Sequence, residues 1–115
     1  MITVKCIEDE RGCIRLTIKG HADAAPYGHD LICAGVTALA YAAAQAVKDL
    51  YEDGKIKDAP MACLLPGEAE IAAKPVRAHH QEVRTSLWTV QCGLRVLANS
   101  YPQHIKVQEY LHDNE

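Results

Sequence analysis

A histidine and a cysteine stand twelve residues apart in Gly20-His21-Ala22-Asp23-Ala24-Ala25-Pro26-Tyr27-Gly28-His29-Asp30-Leu31-Ile32-Cys33, and their side chains are the ones best suited to covalent chemistry. A thiol is strongly nucleophilic as the thiolate, and an imidazole titrates close enough to neutrality to take the proton and pass it on. Asp30 predicts a helix N-cap, because its short carboxylate can accept the unpaired backbone N–H groups that open a helix. Cys33 is then the third helical residue, where those groups and the positive end of the helix dipole favour thiolate over thiol. His21 falls at the foot of a preceding strand. Gly20, Pro26 and Gly28 make the connection a loop able to cover or expose both groups. With His21 as general base, the thiolate would attack a carbonyl and the imidazole would return its proton to a leaving amine. Asp23 could orient His21 as a third member.

The same residues have plainer readings. A cysteine among alanines on an apolar helix can be a small core residue, His21 can cap a strand end, and His29 can be a solvated loop residue. A non-catalytic binding module is therefore the rival to an enzyme. Mild alkylation separates the two, since a catalytic thiol at Cys33 labels well before Cys6, Cys13, Cys63 and Cys92, whose patterns predict packing. His21, His29 and Cys33 could also ligate a metal, but three ligands with no fourth nearby make a poor zinc site, so neither metal nor cofactor is expected.

The elements that must position the pair can be read from periodicity. Ile2, Val4 and Cys6 alternate with polar neighbours, as do Ile14, Leu16 and Ile18, which predicts a hairpin turned at Asp9-Glu10-Arg11-Gly12. Residues 31–52 predict a helix, apolar nearly all round, rich in alanine and central in the fold, whose small side chains let a neighbour approach closely. Residues 59–65 and 68–75 predict a second hairpin with Pro66 and Gly67 at its turn. Val83, Leu87, Val90, Leu94 and Leu97 form one stripe, predicting a helix over 78–99 that Pro102 ends, with a last strand over 105–110. His79 and His80, at the start of that helix, are expected to face solvent. The class is α+β, order ββαββαβ, with a mainly antiparallel sheet.

Composition sets the outer bounds. The 115 residues, 49% hydrophobic and 23% charged, are those of an ordinary globular chain, and 1–115 is expected to form a single domain with one core. A net charge of −3 offers no overall positive field for a phosphate backbone, so direct nucleic-acid binding is not expected. Five cysteines, an odd number, and no basic-then-apolar leader point to free thiols in the cytoplasm. The longest uncharged run, 31–47, is shorter than the roughly 20 apolar residues of a membrane span, and no membrane association is expected.

Gly20-His21-Ala22, Ala25, Gly28, Asp30-Leu31-Ile32-Cys33-Ala34 and Val36 resemble the G-H-A-x-x-A-x-x-G-x-D-[IL]-[IV]-C-A-x-[VI] signature of the ribosomal-processing cysteine protease Prp family. Gly93-Leu94, Tyr101-Pro102 and Ile105-Lys106-Val107 are similar to its closing segment. The resemblance implies a catalytic dyad on His21 and Cys33, with Gly20, Gly28, Asp30 and Thr37 supporting it. It implies an endopeptidase that acts as a homodimer and removes an N-terminal extension from a large-subunit ribosomal protein. The substrate would carry an apolar, aromatic stretch before the cut; in relatives among phage genes it would be a capsid or scaffold protein. Gly35 stands where the family usually has alanine and Thr37 where it usually has serine, which keeps a hydroxyl and adds a methyl.

Overall fold

The computed structural model describes residues 1–21 and 30–110. In β1 (Ile2–Glu8) the residues Ile2, Val4, Cys6 and Glu8 are buried, and in β2 (Ile14–Lys19) so are Ile14, Leu16 and Ile18. Residues two apart on a strand share a face, so the hairpin has one apolar side and one side carrying Thr3, Lys5, Arg15 and Thr17. Its turn is pinned by Asp9, whose Oδ1 accepts the backbone N–H groups of Arg11 at 2.9 Å and Cys13 at 3.0 Å.

The remaining elements are α1 (Leu31–Glu52), β3 (Met61–Leu65), β4 (Glu68–Ala73), a single 3-10 turn (Arg77–His79), α2 (His80–Ser100) and β5 (Ile105–Tyr110). The expected α+β order is thus observed. The sheet order is β3-β4-β2-β1-β5, with β5 parallel to β1 and the other pairings antiparallel. Both helices lie on the apolar side, where Leu16 and Ile71 of the sheet join Val36 and Val47 of α1 and Leu87 and Leu94 of α2 in one core. The uncovered side carries ion pairs instead, Arg15 with Glu70 and Lys19 with Glu68.

Three expectations need correction. α1 is not central: its buried residues, Ile32, Val36, Ala40, Ala43, Val47 and Leu50, form one stripe, while Leu31 and Tyr41 on other faces are 85% and 59% exposed. Two helices on one side of a sheet each have one face to bury, and alanine is small enough to be left in water on the rest. By length and composition alone α1 would pass as a membrane span, but its apolar stripe is buried against the rest of the fold. The small residues do allow close packing, since Gly93 of α2 meets Leu39 of α1 and Gly35 of α1 meets Leu97 of α2. The cysteines outside the loop are not uniformly packed. Cys6 is buried, Cys13 and Cys92 are half-buried, and Cys63 is exposed on the edge strand β3. His80 is not simply solvated, for its Nε2 lies 3.3 Å from the buried carboxylate of Glu8.

Candidate active site

The site begins where β2 ends. Lys19 pairs with Glu68 in the antiparallel register, so the chain leaving β2 runs directly against the β3–β4 turn. There the Gly20 N–H donates to the Gly67 carbonyl at 2.9 Å, and on the other side the Met1 nitrogen donates to the His21 carbonyl at 2.7 Å. Gly20 has φ +104°, and a Cβ on it would overlap the Met1 carbonyl oxygen, so only glycine lets the two backbones come this close. Gly67, at φ +73°, does a second job: a Cβ there would stand 2.5 Å from His21 Nε2 and 2.9 Å from Cε1. The imidazole therefore lies over the bare backbone of the turn.

Cys33 is positioned from the other direction, by the start of α1. Asp30 adopts extended backbone, φ −86° and ψ 98°, and its Oδ1 accepts the N–H groups of Ile32 and Cys33, each at 3.0 Å. This is the predicted N-cap, and it makes Cys33 the third helical residue, half-buried, within the turn that carries the positive end of the dipole. Thr37, one helical turn further along, is exposed.

His21, Gly20, Asp30, Cys33 and Thr37 all line one groove of about 710 Å³. Its walls are apolar: Val36, Ala40 and Tyr41 come from α1, and Leu64, Leu65 and Pro66 from the end of β3 and its turn. Gly28, together with Asp23 and His29, lies outside the described residues. So does the loop expected to cover the site, and so does the third ligand of the metal alternative.

The β3–β4 turn is the part of the site that motif reading missed. Pro66 and Gly67 are legible as a turn, but their seat beside His21 follows from the β2–β4 register, which no local pattern encodes. Tyr41 was likewise hidden among the alanines of α1.

A groove with apolar walls on both sides suits an extended peptide, and a thiol and an imidazole opening onto it are the equipment for cutting one. The class these features define is that of the cysteine proteases. Residues 1–106 match the family model for cysteine protease Prp, and the chain belongs to that family. Over 108 residues it is 26% identical to the ribosomal processing cysteine protease Prp of Staphylococcus aureus (strain Mu50 / ATCC 700699), covering 93% of this chain and 97% of that protein. It is 45% identical to the Bacillus subtilis (strain 168) Prp over 38 residues, covering 33% of this chain and 34% of that one. The fold matches the crystal structure of Prp from S. aureus with a covalently linked product peptide, at a TM-score of 0.69 and 24% identity over 95% of this chain and 99% of the other. It also matches SMU.848 from Streptococcus mutans, at a TM-score of 0.67 and 19% identity over 97% and 96% of the two chains.

Proposed function

We propose that this chain is an endopeptidase that removes the N-terminal extension of a large-subunit ribosomal protein, with Cys33 as nucleophile and His21 as general base. The observation that carries the reading is that both side chains open onto one apolar-walled groove, Cys33 in the first turn of α1 and His21 over Gly67. His21 takes the proton from Cys33, and the thiolate adds to the scissile carbonyl. Collapse of the adduct expels the amine, which takes the proton from His21, and leaves a thioester on Cys33; water, deprotonated by the same imidazole, then hydrolyses it. Asp30 holds the helix start that presents the thiol, Gly20 and Gly67 seat the imidazole, and Thr37 offers a hydroxyl to the bound peptide. The walls formed by Tyr41, Leu64 and Leu65 would take apolar substrate residues ahead of the cut.

The working form is a homodimer in the cytoplasm. Supporting the dimer, Trp88 and Val96 of α2 are 52% and 63% exposed, apolar surface that a two-fold contact would bury. The test is incubation with a ribosomal protein bearing its N-terminal extension, followed by mass measurement. Wild type should yield one shortened product, and Cys33→Ala and His21→Ala should each yield none while keeping the wild-type circular dichroism. Cleavage by Cys33→Ala at the wild-type rate would overturn the assignment.

A further inference from the structure

At the end of the sheet away from the groove is a second, smaller concavity of about 310 Å³, and its lining is cationic: Arg11, Lys57, Lys74 and Arg77, with His80 beside them and Glu10 as its one carboxylate among the described residues. β2 runs between the two sites, which puts them roughly 20 Å apart at the usual rise per strand residue. Two nearby carboxylates are already paired. Buried Glu8 faces His80 Nε2 at 3.3 Å and Arg84 Nε at 3.6 Å, and Glu82 takes Lys55 at 2.5 Å. Among the described residues none of Arg11, Lys57, Lys74 and Arg77 is within ion-pair distance of an acid.

The four cations also sit on backbone that is held in place. Arg11 is in the Asp9-pinned turn, with its N–H on Asp9 Oδ1 at 2.9 Å. Lys57 and Lys74 are tied side by side by the Lys57 N–H to Lys74 carbonyl bond at 2.7 Å and by the bridge between Ile56 and Pro75, and Val76 donates to the Lys55 carbonyl at 2.9 Å. Arg77 opens the 3-10 turn immediately after. Four cations against the single carboxylate of Glu10, brought by three separate segments to one concavity, leave a local excess of positive charge on a chain whose net charge is −3. A concave wall focuses that field, and lysine and arginine side chains are suited to phosphate oxygens.

We propose that this concavity is a binding site for phosphate groups, separate from the protease groove. The source is a free phosphate or a nucleic-acid backbone, and the two are told apart by using inorganic phosphate and a single-stranded oligouridylate of about twelve nucleotides as probes, the latter spanning an ordinary single-strand site. Binding of each is measured by calorimetry or fluorescence anisotropy at low and moderate salt. Wild type should bind at least one of them saturably, and Lys74→Gln combined with Arg77→Gln should weaken it about tenfold or more. If the oligonucleotide is the ligand, the double variant should also reduce the slope of log affinity on log salt by about 1.4, as expected for two lost phosphate contacts on a single strand. Lys48→Gln with Lys106→Gln, elsewhere on the surface, should change neither. Peptide cleavage by the Lys74 and Arg77 variant should match wild type, so that failure here and failure of the protease reading are distinct results. Absence of saturable binding of either probe up to millimolar concentration, or equal binding by wild type and the Lys74 and Arg77 variant, overturns the proposal.

Discussion

The contact between Gly67 and His21 can be isolated by comparing two glycines of matched backbone. Gly67 and Gly54 have φ of +73° and +75°, so alanine at either position meets the same left-handed penalty, about 1–2 kcal/mol. At Gly54, just past the end of α1, a new Cβ finds nothing within 4 Å. At Gly67 it would stand 2.5 Å from His21 Nε2, where ordinary contact begins near 3.4 Å, so the imidazole must retreat by nearly an ångström. His21 is exposed and free to do so, which makes the cost one of position rather than of folding. Misplacing a reacting group by about 1 Å can cost about 100-fold in rate, or about 2.7 kcal/mol of transition-state stabilisation. Gly67→Ala and Gly54→Ala should therefore lower the melting temperature by similar amounts, roughly 4 °C or more per kcal/mol. Only Gly67→Ala should lose kcat, by about two orders of magnitude, on a peptide spanning the cleavage site and well below either transition. Equal kcat in the two variants would refute the reasoning: the imidazole would not be working from its seat on the turn.

Asp30→Ala should lower stability by about 1 kcal/mol through loss of the cap on Ile32 and Cys33, and Asp30→Asn should recover most of it; thermal unfolding of the three proteins measures both. Cys6 gives a pH dependence. Burial pushes its thiol up to about 12, Glu109 and Glu8 add to the rise, and the Gln91 N–H at 2.8 Å works against it. A thiol raised in the folded state is held neutral there and ionises on unfolding, so its contribution is intact below the ordinary value of 9.0 and is lost as the pH climbs toward 12. Denaturant titrations across that window should show wild type losing more stability than Cys6→Ala, and parallel curves would assign the alkaline loss to other groups.

How much of this was readable in the sequence depends on how local each cause is. The hairpins, both helices and the Asp30 cap follow from alternation, a helical stripe and one carboxylate before an apolar run, all decided within a few residues. The burial of α1 was misjudged because alanine carries little information about which face it occupies. Ala40 and Ala43 are buried and Ala38 and Ala42 are exposed, and only the position of the sheet and of α2 decides between them. The catalytic candidates were found because a histidine, a capping aspartate and a cysteine lie within one short stretch. Gly67 and the Leu64–Leu65 wall were not, because what brings them to His21 is strand order: β4 pairs with β2 rather than β1, and Lys19 with Glu68. The cationic concavity was hidden for the same reason, by averaging. A net charge of −3 describes the sum over the chain, whereas Arg11, Lys57, Lys74 and Arg77 become one electrostatic object only when the β1–β2 turn folds beside the segment that follows β4. Total charge constrains the far field, and the distribution of charge over the fold constrains what binds.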